Sequence, residues 1–432
     1  MEVKEPSAKY LARPRYKQTE VGRIPGDWAY ERLTSVAKLE SGHTPSRRNS
    51  AYWGGSIPWI SLHDTSALDE REIFDTAQRI TPEGLANSSA RLLPKGTVVF
   101  SRTATVGKAT VMGREMATSQ DFANYICGPQ VNNHFLVYLF RGMTSEWKRL
   151  MAGSIHNTVY MPVFKALRVP LPPAQEQEAI ARALNDADSL IESVGQLLAK
   201  KRQLKQGAMQ ELLTGKKRLP GFSGKWEVKA LGELFAFSGG LSASRDQLSA
   251  EGHCYLHYGD IHLSSKSFID VRAQYQSIPK LKVPLNKVAA KSLLADGDVV
   301  FVDASEDDEG ASKHVVVVNP DNRPFISGLH TIVAKGRSAE LDYQYRRYCF
   351  QTRAVKSQFR FFAVGTKVSG ISKTNIAKVT MPVPSFAEQA AIASILSEMD
   401  AEIAGLATKV AKARQIKQGM MQELLAGRIR LV

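Results

Sequence analysis

The amino-acid sequence predicts an α+β fold: two related β-rich α/β domains separated by two long helices that pair as an antiparallel coiled coil. Three observations lead there. The stretch 176–219 recurs at 388–431, a constant offset of 212, with 23 identities in 44 positions and no gap. Within both copies apolar residues return four and three apart, the spacing of a helix that packs against another helix. Before each copy the chain breaks into short β-rich runs bounded by glycine, proline and asparagine. A fixed-period repeat of this length sets the architecture before any single residue is weighed.

In chain order, residues 1–20 are polar, basic and patternless, and read as a loose arm. The first domain covers 21–165. It opens on Ile24-Pro25-Gly26-Asp27-Trp28, then Leu33, Val36, Leu39 and Gly42, and continues through Ile57-Pro58-Trp59-Ile60 and Gly96-Thr97-Val98-Val99-Phe100. A helical spacer covers 166–219. The second domain, 220–375, repeats the opening as Pro220-Gly221, Trp226, Leu231, Leu234 and Gly240, at an offset of 198. Cys254-Tyr255-Leu256-His257 then answers to residues 57–60, and Gly297-Asp298-Val299-Val300-Phe301 to residues 96–100. Gly365 stands to Gly153 at the helix offset of 212, and the second spacer covers 376–432. The spacers stayed alike while the domains diverged, which suits one frame carrying two different sets of loops.

Each spacer helix starts after prolines, Pro170, Pro172 and Pro173 in one and Pro382 and Pro384 in the other, with Glu176 or Glu388 in its first turn. The pairing seam is Ile180, Leu184, Ile191, Val194 and Leu198 in the first helix. In the second it is Ile392, Leu396, Met399, Ile403, Leu406 and Val410. Past Lys201 and Ala413 the step shifts to Leu204, Ala208 and Leu212, and to Ile416, Met420 and Leu424, so the packing partner changes there. Gly215 and Gly427 stop the helices. Both copies are acidic first and basic last, from Asp186, Asp188 and Glu192 to Lys200, Lys201, Arg202 and Lys205, and from Glu398, Asp400 and Glu402 to Lys409, Lys412, Arg414 and Lys417. Antiparallel packing sets acid on base, whereas parallel packing sets like beside like. The same polarity also suits each helix dipole alone, but both apolar stripes need a burial partner. At about 1.5 Å per residue, Gln175 to Leu213 is a rod of roughly 58 Å, the length of a spacer.

The chain has 432 residues, enough for two to four domains with sizeable cores. Its 57 Lys and Arg outweigh 42 Asp and Glu, and the net charge of +15 points to nucleic acid or another polyanion. Cys127, Cys254 and Cys349 are few and far apart, as in a reducing compartment. With no leader pattern and no apolar run of about 18 residues, the expectation is a cytoplasmic protein without membrane contact.

Motifs for catalysis are missing. No Gly-x-Gly-x-x-Gly follows a strand, Asn319-Pro320-Asp321 fails the Asn-Pro-Pro-aromatic pattern, and Gly107-Lys108-Ala109 fails the phosphate loop. The spacing of His253, Cys254, His257 and His262 matches no standard zinc site, and unrelated strand and loop residues explain it better. Asp303, Glu306, Asp307, Asp308 and Glu309 lack cation-ligand spacing and read as a solvated turn. No catalytic residue, cofactor or metal is therefore expected in this chain.

The phrases IPGDWAYERL (24–33), PLPPAQEQEAIARAL (170–184), KQGAMQELLTGKKRL (205–219) and KQGMMQELLAGRIRL (417–431) resemble the specificity subunit of type I restriction–modification enzymes, with the same motif order over nearly the whole chain. The resemblance implies two target recognition domains, each reading one half of a bipartite site in double-stranded DNA. It also implies that the helices act as a ruler and as a dock for two modification (methyltransferase) subunits. S-adenosylmethionine would then belong to those subunits, and ATP and magnesium to the restriction (translocase and nuclease) subunits, leaving this chain non-catalytic.

Phosphate contacts draw on Lys, Arg, Ser, Thr and Asn in loops, and base readout on bidentate Arg, Asn or Gln. By that chemistry the candidate contacts in the first domain are Arg47, Arg48, Asn49, Ser101, Arg102, Lys108, His156 and Asn157. In the second they are Ser244, Arg245, Lys313, Lys367 and Ser369. Other readings stay open: a specificity subunit of a methylation-only or another phage-defence system, a two-domain protein-binding scaffold, or a nuclease with an unrecognised site.

Overall fold

The computed structural model describes residues 16–152, 157–264, 266–305, 313–365 and 369–431. The chain divides into two compact units, residues 1–195 with 408–432 and residues 196–407. Of the expected loose arm, residues 16–20 are described, and they correct that expectation. Tyr16–Thr19 pairs antiparallel with Gly22–Pro25, because Gly22 turns the chain at φ 103° and Thr19 Oγ1 donates to its carbonyl at 2.7 Å.

In the first unit five strands make one sheet: β1 (Ala37–Ser41), β2 (Glu72–Ile73), β3 (Val98–Ser101), β4 (Ala109–Met112) and β5 (Phe122–Cys127). Their order is β1-β5-β3-β4-β2, antiparallel except for β4 with β2. Alternate residues of a strand face opposite ways, and β3 is buried on both sides. Val98 and Phe100 pack with Phe135 and Phe140 of α1 (Asn133–Gly142), while Val99 packs with Ile60, Met112 and Phe122. The helix-side core also takes in Ile180 and Leu184 from the start of the first long helix, α2 (Ala174–Leu212).

The second unit repeats this sheet with little of its sequence. Strands β6 (Phe235–Gly239), β7 (Phe268–Asp270), β8 (Val299–Val302), β9 (His314–Val318) and β10 (Thr331–Gly336) run β6-β10-β8-β9-β7, again antiparallel except for the last pair. Val299 and Phe301 face a core shared with Phe359 of α3 (Arg353–Phe362) and with Ile392 and Leu396 of α4 (Phe386–Leu424). One expected equivalence slips by a residue. Strand Trp53–Ile60 lies parallel to Ala117–Thr118 with Ile60 opposite Thr118, and His253–Leu256 lies parallel to Phe325–Ser327 with Leu256 opposite Ser327. Trp59 therefore answers to Tyr255 and not to Leu256.

The two long helices have 39 residues each and start and stop at the repeat offset. In the first unit the start of α2 lies against the end of α4. Leu424 and Leu425 share the core of Ile180 and Leu184, and Lys417 bonds Asp188 at 2.5 Å. In the second unit Leu212 and Leu213 share the core of Ile392 and Leu396, and Lys205 and Lys201 bond Asp400 and Glu402 at 2.5 and 2.7 Å. Pairing is antiparallel, acid on base.

Burial along the seam is uneven. Ile180, Leu184, Ile392 and Leu396 are fully buried because a domain body covers them as well as a helix; Leu198, Leu406 and Val410 are buried too. Ile191, Val194, Met399 and Ile403 are half-buried. Leu204 and Ile416, which the sequence placed on the apolar step, are instead 50% and 53% exposed. A paired helix covers only a narrow stripe, and these two fall outside it. No helix among the described residues is long and apolar enough to cross a membrane.

A buried carboxylate closes each helix start. Glu176, 1% exposed, accepts from Trp28 Nε1 at 3.0 Å and from Arg430 Nε and Nη2 at 2.6 and 2.8 Å. Glu388, equally buried, accepts from Trp226 Nε1 at 3.0 Å and from Arg218 Nε and Nη2 at 2.6 and 2.7 Å. Arg430 follows α4 yet closes the unit in which α2 starts, and Arg218 follows α2 yet closes the unit in which α4 starts. Gly427 and Gly215, at φ 64° and 69°, turn the chain back to reach these positions. The neighbouring Gln177 and Gln389 seal the backbone, donating to Pro172 O and Pro384 O and accepting from Asn132 N and Asp342 N.

Removing one partner of a buried ion pair strands the other charge, at a cost of about 3–5 kcal/mol. Arg430→Met is therefore expected to destabilise the first unit by about that amount. Hydrogen-exchange protection should fall in residues 22–195 and stay unchanged in 220–400, whereas Arg218→Met should show the opposite pattern. Adding Glu176→Gln to Arg430→Met removes the stranded charge and should restore part of the loss. Equal loss of protection in both units would contradict the assignment.

Candidate nucleic-acid interface

In the first unit four loops meet at one end of the sheet: 42–49 after β1, 102–108 between β3 and β4, 119–121 before β5, and 157–160. Gly42 is where two of them cross. A Cβ there would sit 2.1 Å from the Ser119 carbonyl, so only glycine fits. The His43 amide donates to Thr118 O at 2.9 Å, Trp59 Nε1 donates to His43 O at 3.0 Å, and Thr44 Oγ1 bonds Gln120 Oε1 at 2.6 Å. Trp53 and Trp59 meet edge to face at 5.0 Å, and the Arg47 guanidinium lies 4.2 Å over Trp53 while donating to Gln78 Oε1 at 3.0 Å.

Arg102 bolts three of these loops together. Its Nε donates to Gln120 O at 2.8 Å and its Nη1 to Val159 O at 3.3 Å, while its carbonyl accepts from Val159 N at 2.9 Å. Burial holds this guanidinium below its ordinary pKa. Ser101 is buried and donates to Thr103 O, and Lys108 donates to Thr65 O and Asp69. The hairpin tip turns at Ala104 and Gly107, with φ 61° and 100°.

The second unit builds the same junction from other residues. A Cβ on Gly240 would come within 1.9 Å of Gly328 O. Leu241 N donates to Ser327 O at 2.7 Å. The Tyr255 hydroxyl takes the place of the Trp59 ring nitrogen: it donates to Leu241 O at 2.7 Å and accepts from Ala243 N and Leu329 N at 3.1 and 3.0 Å. Ser244 caps its turn through Gln247, and Arg245 Nη2 lies 3.3 Å from Asp260 Oδ1. Lys313 is the counterpart of Lys108, since Val302 N donates to Lys313 O as Ser101 N donates to Lys108 O. Both lysines spend their ammonium on a carbonyl from an earlier part of the chain, Thr65 O in the first unit and His262 O, at 3.0 Å, in the second.

The charges of the two junctions differ in sign. Asp303 N donates to His330 O as Arg102 N donates to Asp121 O, so arginine and aspartate in the first unit become aspartate and histidine in the second. His330 Nδ1 lies 3.2 Å from Asp303 Oδ1, with its backbone in the left-handed region at φ 56°. Burial first, then the nearby Arg245 guanidinium, push the His257 pKa down. Among the described residues no group of three or more His, Cys, Asp and Glu side chains is placed to hold a metal, and Glu306, Asp307, Asp308 and Glu309 lie outside them.

The sequence-derived candidates thus separate. Ser101, Arg102, Lys108, Ser244 and Lys313 hold loops in place, Arg47 is stacked, and the Asn49 side chain accepts from Ala51 N. Arg48, Asn157 and Arg245 are exposed on the loops, and Ser369 is half-buried in a strand pair with Ser305. His156 and Lys367 lie outside the described residues. Sequence reasoning missed Trp53, Trp59, Tyr255, Gln120, Asp303 and His330. Two tryptophans six residues apart beside Arg47 were a readable signal; Asp303 and His330 meet only through sheet pairing. What the arrangement offers is cations, amides and hydroxyls on loops fixed by a rigid sheet, the chemistry of phosphate and base-edge contact.

The type I restriction modification DNA specificity domain matches residues 25–200 and again 223–414. The chain is 28% identical over 264 residues to the type I restriction enzyme MjaIX specificity subunit of Methanocaldococcus jannaschii, covering 56% of this chain and 60% of that one. It is 23% identical over 444 residues to the putative type I restriction enzyme MjaX specificity subunit of the same organism, covering 98% of each. The crystal structure of the type I restriction–modification system S subunit from M. genitalium shares the fold, with a TM-score of 0.54 over 96% of this chain and 99% of that one at 14% identity. With the family's domain present twice and spanning most of its length, the chain belongs to the type I restriction modification DNA specificity family.

Proposed function

We propose that this chain is the specificity subunit of a type I restriction–modification complex, each unit reading one half of a bipartite site in double-stranded DNA. The observation that carries this reading is a pair of sheets with the same topology whose loop ends differ in side chain and in charge. A frame kept constant under exchanged loops is what two different half-sites require. The net charge of +15 supports a polyanionic ligand. The long helices set the gap between half-sites and dock two modification subunits. Methyl transfer from S-adenosylmethionine belongs to those subunits, and ATP- and magnesium-dependent translocation and cleavage to restriction subunits. The complex works in the cytoplasm.

Purified alone, the chain should neither methylate nor cut DNA; methyl transfer by a rigorously purified sample would refute the non-catalytic assignment. Replacing residues 21–165 by the corresponding domain of a relative should change one half of the methylated motif and leave the other intact. Each correct base pair typically contributes about 1–3 kcal/mol of discrimination, so the change should be sharp in methylation mapping. Joint change of both halves would exclude independent modules.

The ruler is tested by lengthening both helices, because insertion in one alone would pull Lys417 from Asp188 or Lys201 from Glu402. Matched four-residue insertions after Val194 and after Leu406 add about 6 Å and about one turn. The unspecified gap should lengthen by one or two base pairs with both half-site sequences fixed. An unchanged gap in an active complex means that the helices do not set it.

A further inference from the structure

The sequence-derived contacts left out the most exposed aromatic residue of the second unit. Phe361 is 81% exposed, and Val364 nearby is 76% exposed. The helix geometry explains why. Val355 and Phe359 of α3 are buried in the core and Phe362 packs against it, one side of the helix at steps of four and three. Phe361 is thereby turned to the other side, its ring edge to face with Phe362 at 5.2 Å. Thr352 caps the helix start through Val355 N, and Asn375 Nδ2 donates to Phe362 O near its end.

The patch adjoins the loop junction. Val364 and Gly370 exchange backbone hydrogen bonds at 2.9 and 3.0 Å, and Ile371 N donates to Asp303 O at 2.7 Å. Asp303 is the residue that pairs with His330. The chain segment that carries the patch is one-signed. Between Asp342 and Glu388 the chain has no acidic residue but carries Arg346, Arg347, Arg353, Lys356, Arg360, Lys367, Lys373 and Lys378. Exposed apolar residues standing singly need no explanation, but an exposed aromatic ring and an exposed valine three residues apart within so basic a stretch do. A polyanion that also offers apolar contacts fits both features, and double-stranded DNA is such a ligand through its thymine methyls and the base steps an apolar side chain can wedge. The corresponding residues of the first unit are Arg149, which is paired to Glu146, and Ala152, so the feature is not part of the shared frame.

Resting on the DNA-reading function proposed above, the structure assigns Phe361 as an apolar base contact within the second half-site, with Val364 three residues further along and the α3 cations on the flanking phosphates. The ring sits against a thymine methyl or wedges at a base step, adding discrimination that the polar loops do not supply.

The test uses the complete complex with its modification subunits, carrying Phe361→Ala or Phe361→Trp. Affinities are measured for a duplex holding the wild-type complex's own methylated motif and for a scrambled duplex. Loss of one specific base contact should weaken binding to the motif duplex by about tenfold or more. Phe361→Trp should retain most of the affinity, binding to the scrambled duplex should stay the same, and methylation mapping should show relaxed choice at one position of the second half-site. Unchanged motif binding and mapping in Phe361→Ala would overturn the assignment. So would loss of the modification subunits from the Phe361→Ala complex, since the patch would then be a protein interface. A wild-type complex with no preference for the motif duplex would overturn the specificity function itself, an outcome separate from any effect of residue 361.

Discussion

The whole arrangement depends on two buried carboxylates that the chain cannot satisfy locally. Glu176 and Glu388 are each 1% exposed, and an ionised carboxylate so deep is tolerable only with charged, hydrogen-bonded partners. Each finds a tryptophan N–H from its own domain and a two-pronged arginine from the tail of the other long helix. Because Arg430 arrives from the far end of the chain, the first unit is not complete from one contiguous segment, whereas the second draws Arg218 from its own start. The first unit closes only once α4 has run its full course, the second once α4 has started. Hydrogen bonds to Glu176 and then to Asp27 hold the Arg430 guanidinium above its ordinary pKa, so the cation is fixed in its charged state.

That closure explains the unequal divergence of the repeat. A change in Glu176, Gln177, Lys205, Arg218 or their counterparts disturbs both the helix pair and a domain core. Asp188 and Asp400 show the same economy: each takes a lysine from the opposite helix and a tyrosine hydroxyl from its own unit, Tyr138 at 2.7 Å and Tyr348 at 2.8 Å. The loop ends are free of such coupling. Gly42 and Gly240 keep the crossing of two loops, and beyond them the latch can be a tryptophan N–H or a tyrosine O–H, since either reaches the same backbone carbonyl. The charged residues at the junction can differ as well, arginine and aspartate in one unit and aspartate and histidine in the other, because backbone bonds join both positions.

A division of labour follows within each loop set. Residues whose charge looks suited to DNA, such as Arg102, Lys108 and Lys313, are engaged with carbonyls and position their loops. Residues that protrude, such as Arg48 and Phe361, have side chains open to a ligand. Positioning and reading are thus carried by different side chains, which lets one set change while the loop conformation stays.

The sequence alone determined the duplication, the two helices to within a residue or two, their antiparallel sense from charge order, and the sheet strands with unbroken apolar runs, such as Val98-Val99-Phe100 and Val299-Val300-Phe301. These features are local or periodic, so neighbours in sequence reveal them. The tertiary structure decided the rest. It made Trp59 the equivalent of Tyr255, one residue from the apparent match, because strand register follows pairing within each sheet and not likeness of letters. It turned Leu204 and Ile416 outward, because a lone helix partner covers a narrower stripe than the spacing promised. It also separated bolts from readers among the arginines and lysines: whether a cation faces a carbonyl or open solvent depends on loops brought together from far apart in the chain, and no local pattern records that.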